Sequence, residues 1–248
     1  MQSFIRIFIL TLFGLAPLAA LHAQGTTPAA SPAQVAATAG ADATDVYHVF
    51  IAKAALGKAK EAADFLKEPD PNTPDAKGIL LRHQDGDEWD YIGIEYIGPK
   101  ATVDLKAVQM SPAKRALLEW HTDTFVSGPS WTQFAKAMGL DGDAKATAGS
   151  VYVVADYRAA PGHREELKKM LTDNPAGATD TSSGNVLLTH VEGAAWNFLG
   201  VVRYDSWEKF AENEKASVTQ TNKGEGGWFD LRNHVASHHD TLADRIMP

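Results

Sequence analysis

The sequence predicts an α+β fold made of two tandem β-α-β-β-α-β repeats. Three observations carry that prediction. The chain opens each half alike: Val46-Tyr47-His48-Val49 returns as Val151-Tyr152-Val153-Val154, and Ala54-Ala55-Leu56-Gly57 as Ala159-Ala160-Pro161-Gly162. Further on, residues 78–83 return as 184–190 with a one-residue gap. A constant offset then pairs His83 with His190, Gly86 with Gly193, Trp89 with Trp196 and Gly93 with Gly200. Finally, both copies run through the same succession of strand-like, helix-like and turn-like segments. A repeat this long exceeds a solenoid unit, so each copy reads as a small domain, residues 45–140 and 149–248.

The chain before the repeats has two parts. Residues 1–23 read as a secretory signal: Arg6 is the short positive region, and residues 7–20 are apolar, interrupted only by Thr11, Gly14 and Pro17. Ala19, Ala20 and Ala23 follow, which suits cleavage after Ala23. Residues 24–44 are mostly Ala, Thr, Pro, Gly and Ser with no aromatic residue, the composition of a flexible linker. The expectation is a periplasmic or secreted protein that leaves the membrane once the signal is removed. Cysteine is absent, so stability must come from the core rather than from disulfides. The formal net charge of −8 argues against nucleic acid or anionic membranes as partners.

Within each copy the elements follow in order. Residues 47–52 and 151–157 are rich in Val, Tyr, Phe and Ile, which suits a half-buried strand. A helix follows: Ala59, Ala62, Ala63, Phe65 and Leu66 share its inner side in the first copy, and Leu167, Met170 and Leu171 in the second. Pro/Asp/Asn loops at 69–72 and 173–175 end these helices. Hairpins come next, over 79–83 and 89–97 about Asp85-Gly86-Asp87, and over 186–190 and 196–204 about Glu192-Gly193-Ala194. Helical segments then span 111–120 in one copy, and 206–218 with 228–237 in the other; Ser111 and Ser206 are suitable amino-terminal caps. The hexamers His121-Thr122-Asp123-Thr124-Phe125-Val126 and His238-His239-Asp240-Thr241-Leu242-Ala243 close the copies. They read as final strands, or alternatively as a continuation of the preceding helix. This order is the split βαβ of ferredoxin-like domains.

With this element order, duplication and strand–Trp–Gly hairpin, residues 45–245 resemble the dimeric α/β-barrel superfamily in its tandem, single-chain form. The resemblance is nearest in style to the NIPSNAP, EthD-like and antibiotic-biosynthesis monooxygenase families; chlorite dismutases and dye-decolourising peroxidases share the group. It implies a pseudo-dimeric α/β barrel, helices outside and a pocket between sheet and partner. It also implies a chemistry: some monooxygenase-like relatives use no cofactor, and the deprotonated substrate itself hands electrons to oxygen. A fold alone does not transfer a reaction.

Alternation along the hairpins places Ile79, Leu81, His83, Trp89 and Tyr91 on one face, and Val186, Leu188, His190, Trp196 and Phe198 on its counterpart. His83, Trp89, Tyr91, His190, Trp196 and Phe198 are therefore the expected ligand-binding residues of two aromatic chambers, unless these rings simply fill a core. As strands, the closing hexamers put His121 beside Asp123 and His238 beside Asp240. A carboxylate that fixes and strengthens an imidazole is what a general base needs, so these four are the expected catalytic residues. As a continuing helix, the tail would instead set His234 and His238 one turn apart, a spacing that suits a metal or haem ligand pair. The Gly-x-x-Asp-Gly motif of dye-decolourising peroxidases is absent. Asp85-Gly86-Asp87-Glu88 and Asp141-Gly142-Asp143 lack the ligand spacing of a calcium loop and read as acidic turns.

Three functions stay open on these residues. The leading one is an exported barrel that binds a small aromatic or apolar molecule, with or without cofactor-free oxidation of it, and with no metal or cofactor. A non-catalytic binding or stress-related module is the second, and a haem oxidoreductase the third. Assembly into a homo-oligomer stays open as well.

Overall fold

The computed structural model describes residues 43–68, 76–102, 110–173, 180–225 and 227–248. The expected signal at 1–23, residues 24–42 of the expected linker, and most of the loops expected after the first helix of each copy lie outside those residues. In chain order the elements are β1 (Asp45–Ala54), α1 (Ala59–Lys67), β2 (Lys77–Asp85), β3 (Tyr91–Pro99), α2 (Pro112–Arg115) and β4 (Leu118–Gly128). Then follow α3 (Trp131–Met138), a 3-10 turn (Ala144–Thr147), β5 (Val151–Ala159), α4 (Arg164–Asp173), β6 (Gly184–Glu192) and β7 (Phe198–Tyr204). The chain ends with α5 (Trp207–Asn222), α6 (Gly227–His234) and β8 (Val235–Met247).

All eight strands close into one antiparallel barrel in the order β1-β3-β2-β8-β5-β7-β6-β4, with β4 returning to β1. Within each half the order is that of a ferredoxin-like sheet, as the repeat predicts. The halves join through β2 with β8 and β6 with β4. Each half thus offers its partner the same two strands, and closure leaves no strand edge unpaired.

Period-two alternation sorts every strand into an inner and an outer face. Tyr47 and Val49 of β1, Ile79 and Leu81 of β2, and Ile92 and Ile94 of β3 are buried inside. Their counterparts are Tyr152, Val154, Val186, Leu188, Leu199 and Val201. The outer face of the first half carries Ala52, Leu80, Tyr91 and Leu118 against Ala62 of α1. Ala62 is the one fully buried position of α1, so this helix is held by a narrow apolar stripe between its lysines and acids.

The closing hexamers are strands, not helix. The helix expected over 111–120 is a single turn capped by the Ser111 hydroxyl, and pairing with β1 takes over from Leu118 onward. In the second half α6 stops at His234 and β8 begins at Val235. Tertiary strand pairing outweighs the helical preference of these stretches.

Among the described residues, the helix after β4 has no counterpart in the second copy. Helix α3 follows β4 at the end of the first copy and packs Phe134, Ala137 and Met138 into the barrel interior. The Phe134 ring sits 4.9 Å from Tyr47, whose hydroxyl donates to the Pro129 carbonyl at 2.8 Å. Tyr152 donates to the Met138 carbonyl at 3.0 Å, so the two equivalent tyrosines grip the two ends of one helix. A capping box between Ser130 and Gln133 starts α3, and left-handed Gly139 ends it. The interior is therefore plugged at the level where β1 and β5 begin.

Candidate functional site

Further along β1 and β5, away from α3, the interior opens into a cavity of about 250 Å³. Its aromatic wall is Trp89, Trp120 and Trp196. Val154 and Leu199 add apolar lining, and Asp87, Asp156 and His239 cluster on one side. Trp89 and Trp196 line the same cavity, where two separate chambers were expected.

The hairpin turns bring these groups in. Gly86 and Gly193 have φ of 123° and 118°, a left-handed region that favours glycine. A Cβ on Gly86 would stand 2.4 Å from the Asp240 carbonyl oxygen, and one on Gly193 the same distance from that of Asp123. Each turn thus lies flat on the other half's last strand. A threonine hydroxyl on that strand accepts the next amide: Asp87 N–H donates to Thr241 at 3.2 Å, and Ala194 N–H to Thr124 at 3.3 Å. The tryptophans sit in the loops before β3 and β7 and turn into the barrel, 5% and 8% exposed.

The cavity is symmetric in scaffold and asymmetric in chemistry. By the repeat alignment Asp87 matches Ala194, Asp156 matches Ile51, and His239 matches Thr122. All six line the cavity, so one wall is acidic and the opposite wall is neutral. His239 Nδ1 lies 3.2 Å from Asp156 Oδ2. Burial pushes the Asp156 carboxyl above the ordinary carboxylate range; His239 pulls it back, while Asp87 and Asp240 add to the rise.

The expected catalytic pairs form, but on the outer face of the barrel. His121 Nε2 and Asp123 Oδ2 are 3.4 Å apart, and His238 and Asp240 repeat that distance. Asp123 also accepts from His48 Nε2 at 2.9 Å, and this bond is the main reason its carboxyl titrates lower than usual. Arg115 approaches His121 at 3.1 Å, while the His238 ring stacks on Tyr157 at 6.0 Å and 6°. None of these four expected residues lines the cavity. Alternation correctly joins each His to its Asp, but the intervening residues, Thr122 and His239, are the ones that point inward.

The remaining expected ligand residues divide. His83 and His190 fall on the inner face, each edge-on to its own hairpin tryptophan at 5.7 Å, and each with a buried Nε2 that has no hydrogen-bond partner. Tyr91 and Phe198 are corrected to the outer face. Tyr91 donates to the Ala59 carbonyl of α1 at 2.6 Å, and Phe198 is buried beneath the Arg164 guanidinium of α4. Strand alternation cannot be counted through the loop residues Trp89-Asp90 and Trp196-Asn197, so its phase inverts. The metal or haem pair is corrected too. His234 ends α6 with its Nδ1 3.1 Å from His163 Nδ1, while His238 stands on β8, so no helix face joins them.

Sequence reasoning did not assign Trp120, Asp87, Asp156 or His239 to the site. Asp87 carried a legible signal, an acidic residue beside the turn glycine just before Trp89. Asp156 carried another, as the acid that replaces Ile51 in an otherwise matching strand.

No family model matches the sequence, and no curated protein matches it. Among solved structures the chain is similar to a candidate monooxygenase from Lactobacillus acidophilus NCFM. The two are 10% identical, with 82% of this chain and 94% of that one covered and a TM-score of 0.48. At that distance the likeness carries no information about chemistry.

Proposed function

We propose that this barrel binds a small, flat aromatic molecule that carries a polar substituent. The observation that supports it is the cavity itself: three tryptophans and further apolar lining, with every titratable group on one side. Pockets for drug-sized ligands run to ~300–1,000 Å³, so a slightly smaller space suits a one- or two-ring molecule. The rings would lie against Trp89, Trp120 and Trp196, and the substituent would face Asp87, Asp156 and His239. The apolar amino-terminal stretch supports action after export.

Binding needs nothing beyond the cavity. The oxidation implied by the resemblance would also need a base in contact with the ligand. Only His239 among the described histidines lines the cavity, so that place is not open to His121 or His238.

Tryptophan fluorescence titration with a panel of one- and two-ring phenols and indoles tests the reading. Saturable quenching is expected, weakened about 10-fold in Trp196→Ala, which corresponds to ~1.4 kcal/mol. Trp196→Phe keeps a ring in place and should retain most of the affinity. Absence of quenching across the panel, or equal affinity in all three proteins, would remove the proposal. Oxygen uptake by the loaded protein then separates an oxidase from a binding module.

A further inference from the structure

His239 is the one basic group on the acidic wall of the cavity among the described residues. One ligand atom each from Asp87, Asp156 and His239 lies within 4.8 Å of the others. No Lys or Arg is among the described residues that line the space. Elsewhere the protein answers such carboxylates directly: Arg82 meets Asp244 at 2.9 Å, and Arg203 meets Asp205 at 2.5 Å. Like charges held this close raise each other's energy unless a cation stands between them. Asp156 is only 22% exposed, so water screens the repulsion weakly there.

The repeat supplies an internal control. Ala194, Ile51 and Thr122 occupy the matching positions on the opposite wall without a single charge. Turn, strand pairing and tryptophan are all in place there. Neither the fold nor the closure of the barrel therefore requires the acidic set.

We propose that Asp87, Asp156 and His239 bind a divalent first-row transition-metal ion at the wall of the tryptophan-lined cavity. The imidazole decides between the two kinds of cation that would satisfy the carboxylates. An organic ammonium gains from Asp87 and Asp156 but takes only a hydrogen bond from the imidazole nitrogen, where a metal ion forms a coordinate bond. A transition-metal ion uses all three donors, and a mixed nitrogen and oxygen set suits zinc, cobalt or manganese better than calcium. Three protein ligands leave further coordination positions free, in a cavity that Trp89 and Trp196 also line. Any ligand in the cavity would then meet a positive centre. The proposal does not rest on the aromatic reading, because the ion needs no organic ligand.

The test uses the full chain, stripped with a chelator and titrated with Co²⁺, Zn²⁺ and Mn²⁺ by calorimetry in the absence of any organic molecule. One ion per chain is expected, and Co²⁺ should develop visible absorption that reports a nitrogen ligand. Asp156→Asn and His239→Ala should weaken binding by about 100-fold, a scale that even loss of an outer partner can reach. Thr122→Val, on the neutral wall, should leave binding unchanged. Asp87→Asn, in the exposed turn, gives the same reading if a β5 or β8 variant fails to fold by circular dichroism. Absence of binding at millimolar metal overturns the proposal. So does binding that survives both Asp156→Asn and Asp87→Asn. Quenching of the tryptophans by phenylethylammonium in a protein that takes no metal would assign the wall to an organic cation instead. Failure of the aromatic panel with intact metal binding would overturn only the earlier reading.

Discussion

The β2–β3 turn and the β6–β7 turn are built alike and equipped differently. Each has a left-handed glycine lying on the partner half's last strand, a threonine that receives the following amide, and a tryptophan folded inward beside a histidine. Yet Asp87 faces the cavity from one and Ala194 from the other, and behind them Asp156 and His239 oppose Ile51 and Thr122. The scaffold is the same because both turns must solve the same steric problem. The side chains that reach the cavity are free of that problem and have diverged. The proposed ligand, a small molecule without two-fold symmetry, would be served by a cavity with one polar wall. Polarity on one side alone is what the proposed site would need, while the His–Asp pairs repeat on the outer face of both halves.

Three changes test this comparison, in decreasing order of effect. Gly86→Ala and Gly193→Ala should each lower stability by ~3 kcal/mol, since a Cβ there meets a backbone carbonyl at 2.4 Å in a left-handed conformation. Urea denaturation should show similar losses for the two. Tolerance of only one would mean that the turns are not equivalent supports.

Next in size is the variant that makes the walls alike, Asp87→Ala with Asp156→Ile and His239→Thr. In metal-free buffer its stability should rise by about 1 kcal/mol, because a buried, repelled carboxylate gives way to an apolar side chain. A large loss on urea titration would show that the acidic set holds the barrel together, against the comparison above.

The smallest effect belongs to the outer face. His48 holds Asp123 in its charged form, so the folded carboxyl titrates below the unfolded one. The stability this supplies is complete above the unfolded carboxylate pKa and is lost as pH falls through the folded value. Asp123 is 51% exposed, so solvent screening limits the contribution to below ~1 kcal/mol. Asp123→Asn should flatten the acid limb of the urea midpoint against pH and leave ligand titrations unchanged. Loss of ligand binding would move the His–Asp pair back among the functional groups.

Helix α3 shows how a repeat can hide as well as reveal. Its ends are marked by Ser130-x-x-Gln133 and Gly139, yet it stands at the end of the first copy and has no second instance among the described residues to expose it. The hairpins were legible because turn glycines and alternating apolar residues are local signals. Tyr91 and Phe198 were misplaced because the tryptophans before them belong to loops, and two loop residues are enough to reverse a face.

By itself the sequence determined the duplication, the order of the repeated strands and hairpins, and, for the strand reading of the closing hexamers, the pairing of His121 with Asp123 and of His238 with Asp240. All of these follow from local geometry or direct likeness along the chain. Which face of each strand is enclosed was decided only when β2 met β8 and β4 met β6, since a period of two names two faces and prefers neither. Barrel closure turned His239 inward and His238 outward. The same closure brought Asp87 from a turn in the first half against Asp156 and His239 in the second, groups whose separation along the chain no local rule can bridge.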